Sequence, residues 1–157
     1  MKNRKYAFLC GVILLFCING FAQQLDISLL LVVENLKEKS NSIILNQSAE
    51  IEIVSQRKYT KKTSKTILVL NEFGLKNIDA AQYYSKNNNI NAISATVYTS
   101  TGKKVKTYRK SDFIDQSTAD GYSLIGDGRI LYLKLTPTEY PFIVVFESEI
   151  ESSNTAF

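Results

Sequence analysis

From Ala49 onward, hydrophobic and polar positions alternate along much of the chain with a period of two. Ile51 and Ile53 fall on one side and Glu50 and Glu52 on the other, the pattern of a half-buried strand. Gln56 to Lys65 reads as a polar stretch. It runs into Ile67-Leu68-Val69-Leu70, which is apolar on both faces and suits a central strand. Asn71-Glu72-Phe73-Gly74 has the composition of a turn, with Gly74 at the position that needs positive φ. Asp79 to Ser85 is a further candidate strand. Ile93, Ala95 and Val97 alternate with Ser94, Thr96 and Tyr98, and Ser100-Thr101-Gly102 joins this run to Val105–Tyr108. A three-residue connection ending in glycine predicts a hairpin with a G1 bulge.

Ser111 to Ser117 forms a short link anchored by Phe113. The segment from Asp120 to Gly128 holds three of the five glycines that follow Gly20 and reads as a loop. Leu131, Leu133 and Leu135 alternate with Ile130, Tyr132 and Lys134, and Pro137 and Pro141 bracket a turn. The last strand sends Phe142, Val144, Phe146 and Ile150 inward and Glu147, Glu149 and Glu151 outward. Before the alternating region, Leu25 to Val33 is strongly apolar and reads as a strand. Glu34 to Lys39 carries helix formers with Leu36 facing inward, Ile43-Ile44-Leu45 is a short strand, and Asn46-Gln47-Ser48 is a turn.

Many short strands separated by short polar turns define an all-β chain with minor α content, an antiparallel β-sandwich-like domain with a short N-terminal helix. A barrel is the alternative architecture. The strands are too short, and lack the aromatic girdles, for an outer-membrane barrel. The expected core comprises Ile51, Ile53, Ile67, Val69, Ile93, Val97, Leu131, Leu133, Val144 and Phe146, with the Val97/Val105 hairpin at its heart.

The first 22 residues follow a different logic. Lys2, Arg4 and Lys5 precede an apolar run from Ala7 to Ile18, and Asn19-Gly20-Phe21-Ala22 places small residues at a signal-peptidase site. Residues 1–22 therefore read as a secretory signal peptide, and 23–157 as a single β-rich domain. Removing the leader changes the charge. The stated net charge of +4 counts 19 basic residues, of which three leave with the leader, so 16 face 15 acidic ones. A near-neutral mature domain gives no argument for nucleic acid. Both cysteines, Cys10 and Cys17, lie in the leader, and the bulky Phe16 before Cys17 does not fit a lipoprotein site. No disulfide can form after cleavage, so the core alone must hold the exported fold. The apolar run is too short to span a bilayer comfortably.

The chemistry available is limited. The chain has no histidine and no tryptophan, and its mature part has no cysteine. Ser-His and Cys-His nucleophiles are excluded, and a zinc site nearly so. Glu147, Glu149 and Glu151 form the one carboxylate set with glycosidase-like potential, against their simpler reading as a solvated strand face. The loop from Asp120 to Asp127-Gly128 has oxygen ligands for calcium but not the spacing of a calcium loop. Arg57, Lys58, Lys61, Lys62 and Lys65 make one basic run, and Lys103, Lys104, Lys106, Arg109 and Lys110 a second. Facing one another, they would suit an anionic glycan or headgroup; separately, they are charged strands and guarded edges. The sequon Asn46-Gln47-Ser48 reads as a turn. No catalytic, cofactor-binding or metal-binding residue is assigned.

Three segments together resemble a known family. They are Thr66-Ile-Leu-Val-Leu-Asn-Glu-Phe-Gly74; Ile93-Ser-Ala-Thr-Val-Tyr-Thr-Ser-Thr-Gly-Lys103 with Asp112-Phe-Ile-Asp115; and Asp127-Gly-Arg-Ile-Leu-Tyr-Leu133 with the Phe142-to-Ile150 strand. In this order and spacing they resemble domain of unknown function 3857, which precedes transglutaminase-like domains in exported bacterial envelope proteins. The resemblance implies a non-catalytic β-module at the front of a longer protein, with Cys-His-Asp machinery downstream and no enzyme activity of its own. Its partner would be that downstream domain of the same parent, and its place the periplasm or outer envelope. The alternative is an independent envelope module that binds glycan or peptide. The leader makes one direct prediction: N-terminal sequencing of the exported product should begin at Gln23, and a product still carrying Met1 would make the segment an anchor.

Overall fold

The computed structural model describes residues 40–118, 127–137 and 139–153. Eight strands lie within them: β1 (Ser42–Ser55), β2 (Lys58–Val69), β3 (Ala81–Tyr84), β4 (Asn88–Thr99), β5 (Lys104–Arg109), β6 (Ile114–Ser117), β7 (Arg129–Tyr132) and β8 (Phe142–Ser152). Two short 3-10 helices, Glu72–Asn77 and Lys110–Asp112, connect them. The chain is mostly β, with antiparallel sheets of five and three strands ordered β1-β2-β8-β4-β5 and β3-β7-β6. The predicted helix at Glu34–Lys39 and strand at Leu25–Val33 lie outside the described residues.

β8 is the axis of the large sheet. It pairs with β2 from Tyr59↔Ser152 to Val69↔Phe142, and with β4 from Asn88↔Ser152 to Thr99↔Phe142. Its inward residues Phe142, Val144, Phe146 and Ile150 are all buried, as their alternation predicts. They meet Ile67 and Val69 of β2, Ile90, Ile93 and Ala95 of β4, and a cover made by Ile78, Ala80, Phe113 and Leu131. Phe113 anchors the link between β5 and β6, its ring centroid 6.5 Å from that of Phe146. The buried Ser148 hydroxyl donates to Gln82 Oε1 on β3 at 2.9 Å, a polar tie between the two sheets. On the opposite face Leu68 and Ile143 form a smaller cluster with Ile43, Leu45, Leu70 and Tyr98. Leu68 and Leu70 thus face the side opposite Ile67 and Val69, as a run apolar on both faces requires.

The hairpin forms as expected, with Gly102 at φ +83° and donating its N–H to Thr99 O at 3.0 Å. A register shift between Val97 and Tyr98 marks the bulge. The hairpin is not the heart of the fold, however. β5 is an edge strand and Val105 is 63% exposed.

Other expectations are corrected. Ile51 and Ile53 are 50% and 58% exposed. They keep the predicted alternation, but β1 is the other edge, and no β1 residue joins the covered core. Asn46-Gln47-Ser48 is not a turn but the middle of β1, which continues through a bulge between Ile44 and Asn46. The polar stretch after Gln56 is strand β2 from Lys58, paired on both sides by β1 and β8. Gly74 does not have positive φ. It sits in the first 3-10 helix, which Asn71 caps by accepting from Phe73 N–H at 3.0 Å. Glycine is required there because a Cβ would collide with the Asn41 carbonyl.

These placements separate two kinds of apolar residue. Phe146→Ala should cost about 3–5 kcal/mol in chemical denaturation, the range for truncating a buried aromatic ring. Ile53→Ala should stay within about 0.5 kcal/mol, as exposed substitutions do. Equal losses at the two positions would contradict the register.

Candidate functional site

Alternation along β8 directs Glu147, Glu149 and Glu151 to the outer face of the large sheet. The structure brings them into line but builds no enclosed site around them. Glu147 lies in a cross-strand row with Ser48, Ser64 and Ser94, whose small side chains leave a shallow groove of about 380 Å³. Glu149 stands opposite Lys62 and accepts from Asn91 Nδ2 at 3.4 Å. Glu151 pairs with Lys58 at 2.9 Å, and both side chains are partly exposed.

The two basic runs do not face one another. β8 and β4 lie between β2 and β5, so three strand spacings, about 14 Å, separate them. The β2 run is also divided by alternation. Lys61 and Lys65 share the face of Ile67, and Lys58 and Lys62 the face of Leu68. Lys65 Nζ is engaged by Asn77 O at 3.0 Å. In the glycine-rich segment, Asp120 lies outside the described residues. Asp127 faces Lys86, accepting its backbone N–H at 3.4 Å with the ammonium at 3.9 Å. No cluster of three potential metal-ligating side chains occurs among the described residues.

One polar constellation escapes sequence reading. Tyr84 of β3, Asp115 of β6 and Arg129 of β7 meet at one end of the small sheet. The Tyr84 hydroxyl donates to Asp115 Oδ2 at 2.7 Å, while Arg129 Nε lies 3.0 Å from both Asp115 Oδ1 and the Tyr84 oxygen. The Tyr84 hydrogen bond, and then Arg129, hold the Asp115 carboxyl below its usual range. The same contacts raise the Arg129 guanidinium. A cavity of about 430 Å³ adjoins Tyr84 and Asp115, with Lys110 and Ser111 on its far side. Lys110 Nζ is itself held by Ile90 O at 2.6 Å. One residue from each strand takes part, so the arrangement ties β3, β6 and β7 together. No sequence signal could have found it, because three separate strands contribute one residue each.

With fold and surface laid out, comparison with known proteins gives a class. A family model for DUF3857, described as a domain of unknown function with a solved structure, matches residues 55–157, and the chain belongs to that family. The fold also matches a crystal structure from Parabacteroides distasonis described as a "putative protease", with TM-score 0.57 and 11% identity. The match covers 74% of this chain but only 24% of the Parabacteroides chain, which carries further domains. No curated protein matches.

The triad makes a pH-dependent prediction. A carboxyl with a depressed folded-state pKa stabilises the fold above its unfolded value, about 3.9. That contribution is lost as pH falls through the folded value. Asp115→Asn should therefore lower the denaturation midpoint at pH 7, and the gap from the parent should close on acidification below about pH 4. A gap independent of pH would show that shape rather than charge holds the three strands.

Proposed function

We propose that this chain is an exported, sandwich-like, non-catalytic module at the front of a protease-like, transglutaminase-like envelope protein, and that it positions the domain that follows it. The observation that carries this reading is a single cross-strand row. Ile53 of β1 lies opposite Tyr59 of β2, which lies opposite Ser152 at the end of β8. A polypeptide leaving β8 there emerges two strand spacings, about 10 Å, from the exposed Ile51 and Ile53. Exposed isoleucines on an uncovered sheet face are a ready surface for a neighbouring domain. The share of the Parabacteroides chain left uncovered is consistent with such a neighbour. The composition agrees: histidine is absent and both cysteines lie in the leader, so the nucleophile and base would come from elsewhere.

Sequencing the locus through the codon for Phe157 tests the reading. The frame should continue into a domain containing Cys, His and Asp, and a stop codon there would remove it. In that longer polypeptide, backbone amides of residues 49–55 should exchange with deuterium more slowly than in this chain alone. Unchanged exchange would move the docking surface away from β1. The chain alone should not turn over peptide, ester or glycan substrates. Turnover that a folded Glu147→Ala/Glu149→Ala/Glu151→Ala variant abolishes would place an active site on the outer face instead.

A further inference from the structure

The opposite edge of the large sheet has a different character. Among the described residues, β5 has β4 on one side and no strand on the other. Beside it opens a groove of about 490 Å³, walled by Val97, Tyr108 and Phe142 from the sheet and by Leu135, Pro137 and Tyr140 from the segment between β7 and β8. The strand and its flanks carry Lys103, Lys104, Lys106, Arg109 and Lys110, all exposed. The nearby acids are few: Asp112 accepts from the Arg109 N–H at 2.7 Å, and Glu139 lines the groove.

We propose that β5 accepts an extended acidic peptide as a sixth strand of the large sheet, with an apolar side chain of that peptide seated in the groove. In an antiparallel edge strand, alternate residues turn their N–H and C=O groups outward, and these supply the main-chain bonds for an added strand. Side chains of that strand would alternate between faces. Those on the inner face would lie beside Tyr108 and over the groove. Those on the outer face would lie beside Lys104 and Arg109, which pair with Tyr98 and Ser94 on that side. Carboxylates there would complement the cationic edge, whereas a basic or neutral strand would meet repulsion or an unmatched row of charge. The lysines thus do two things: they guard the edge against indiscriminate pairing and select for acidic partners. A sugar fits less well. Stacking needs open aromatic faces, but Lys106 Nζ sits 4.4 Å from the Tyr108 ring centroid and the Tyr140 ring packs against Phe142 at 5.5 Å.

The test uses the full chain and a fluorescein-labelled, end-blocked peptide, Glu-Val-Glu-Phe-Glu-Val. Companions carry Lys in place of Glu, or N-methyl groups on alternate amides. The acidic peptide should bind in low salt, weaken as salt rises, and slow amide exchange along β5. The Lys and N-methylated peptides should bind at least tenfold less tightly. Lys104→Glu/Arg109→Glu should weaken the acidic peptide at least tenfold and strengthen the Lys peptide, with an unchanged melting curve. Tyr140→Ala, outside the strand, should weaken the acidic peptide several-fold while keeping its preference over the Lys peptide. Several results would each overturn the proposal: no binding at millimolar peptide, equal binding of the N-methylated form, protection at β1 rather than β5, or self-association of the chain through β5.

Discussion

Pairing of β8 between β2 and β4 is the constraint on which the rest depends. Eleven residues are bonded on both sides, and the strand is apolar on both faces around Ile143 and Val144. It is the last strand in the described chain, yet it fills the middle of the sheet. Without it, β1-β2 and β4-β5 would be two separate hairpins, each with an exposed apolar face, and isolated hairpins are marginal in water. The partners of β8 lie 43 to 93 residues earlier, from Thr99↔Phe142 to Tyr59↔Ser152, so loop-closure entropy must be met before its contacts form. No disulfide shares that cost in the described fold, and the core does the work alone.

The small sheet has a narrower task. β3, β6 and β7 have four residues each and cover only the part of the large sheet where Ile67, Val69, Val144 and Phe146 converge. Such short strands have little burial of their own. Phe113 and Leu131 reach into the core from one side, and Ser148 to Gln82 and the Tyr84–Asp115–Arg129 cluster fasten the layer by polar bonds. The limited cover also explains why strand residues of equal hydrophobicity differ so much in burial. Alternation decides which face a residue occupies, and the reach of the cover decides whether that face is wet.

This distinction marks where the sequence was legible. The Phe142–Ile150 alternation identified β8 and its inward residues, because both neighbours and the cover lie over that face. Ser100-Thr101-Gly102 identified the hairpin, because positive φ at glycine is a local requirement. Ile51 and Ile53 were assigned to the correct side of a strand but to the wrong environment, since no pattern within β1 reports how far the second sheet extends. Lys58–Lys65 was missed as a strand because its faces are not buried, leaving only Thr and Tyr as β-formers. Gly74 was recognised as necessary for the wrong reason: its constraint is the Asn41 carbonyl, thirty-three residues away in sequence. The Tyr84 cluster and the groove beside β5 exist only through tertiary contacts, so no pattern along the chain reports them.

The two edges of the large sheet differ in character. Natural edge strands are usually guarded by lysine, proline or a bulge. β5 follows this rule with a dense set of cations. β1 has register shifts near both ends but no lysine, arginine or proline across fourteen residues, and it ends in Glu50-Ile51-Glu52-Ile53-Val54-Ser55. An unguarded, half-apolar edge is a hazard in a free-standing domain and an asset where another part of the same polypeptide covers it. Because the covering element would be covalently attached, its effective concentration is high, and a modest apolar surface is enough to hold it. An external ligand has no such advantage and must be selected by charge, as β5 allows. On the two proposals together, the sheet would separate a contact suited to permanent assembly from one suited to selective, reversible binding, with β8 fixing the distance between them.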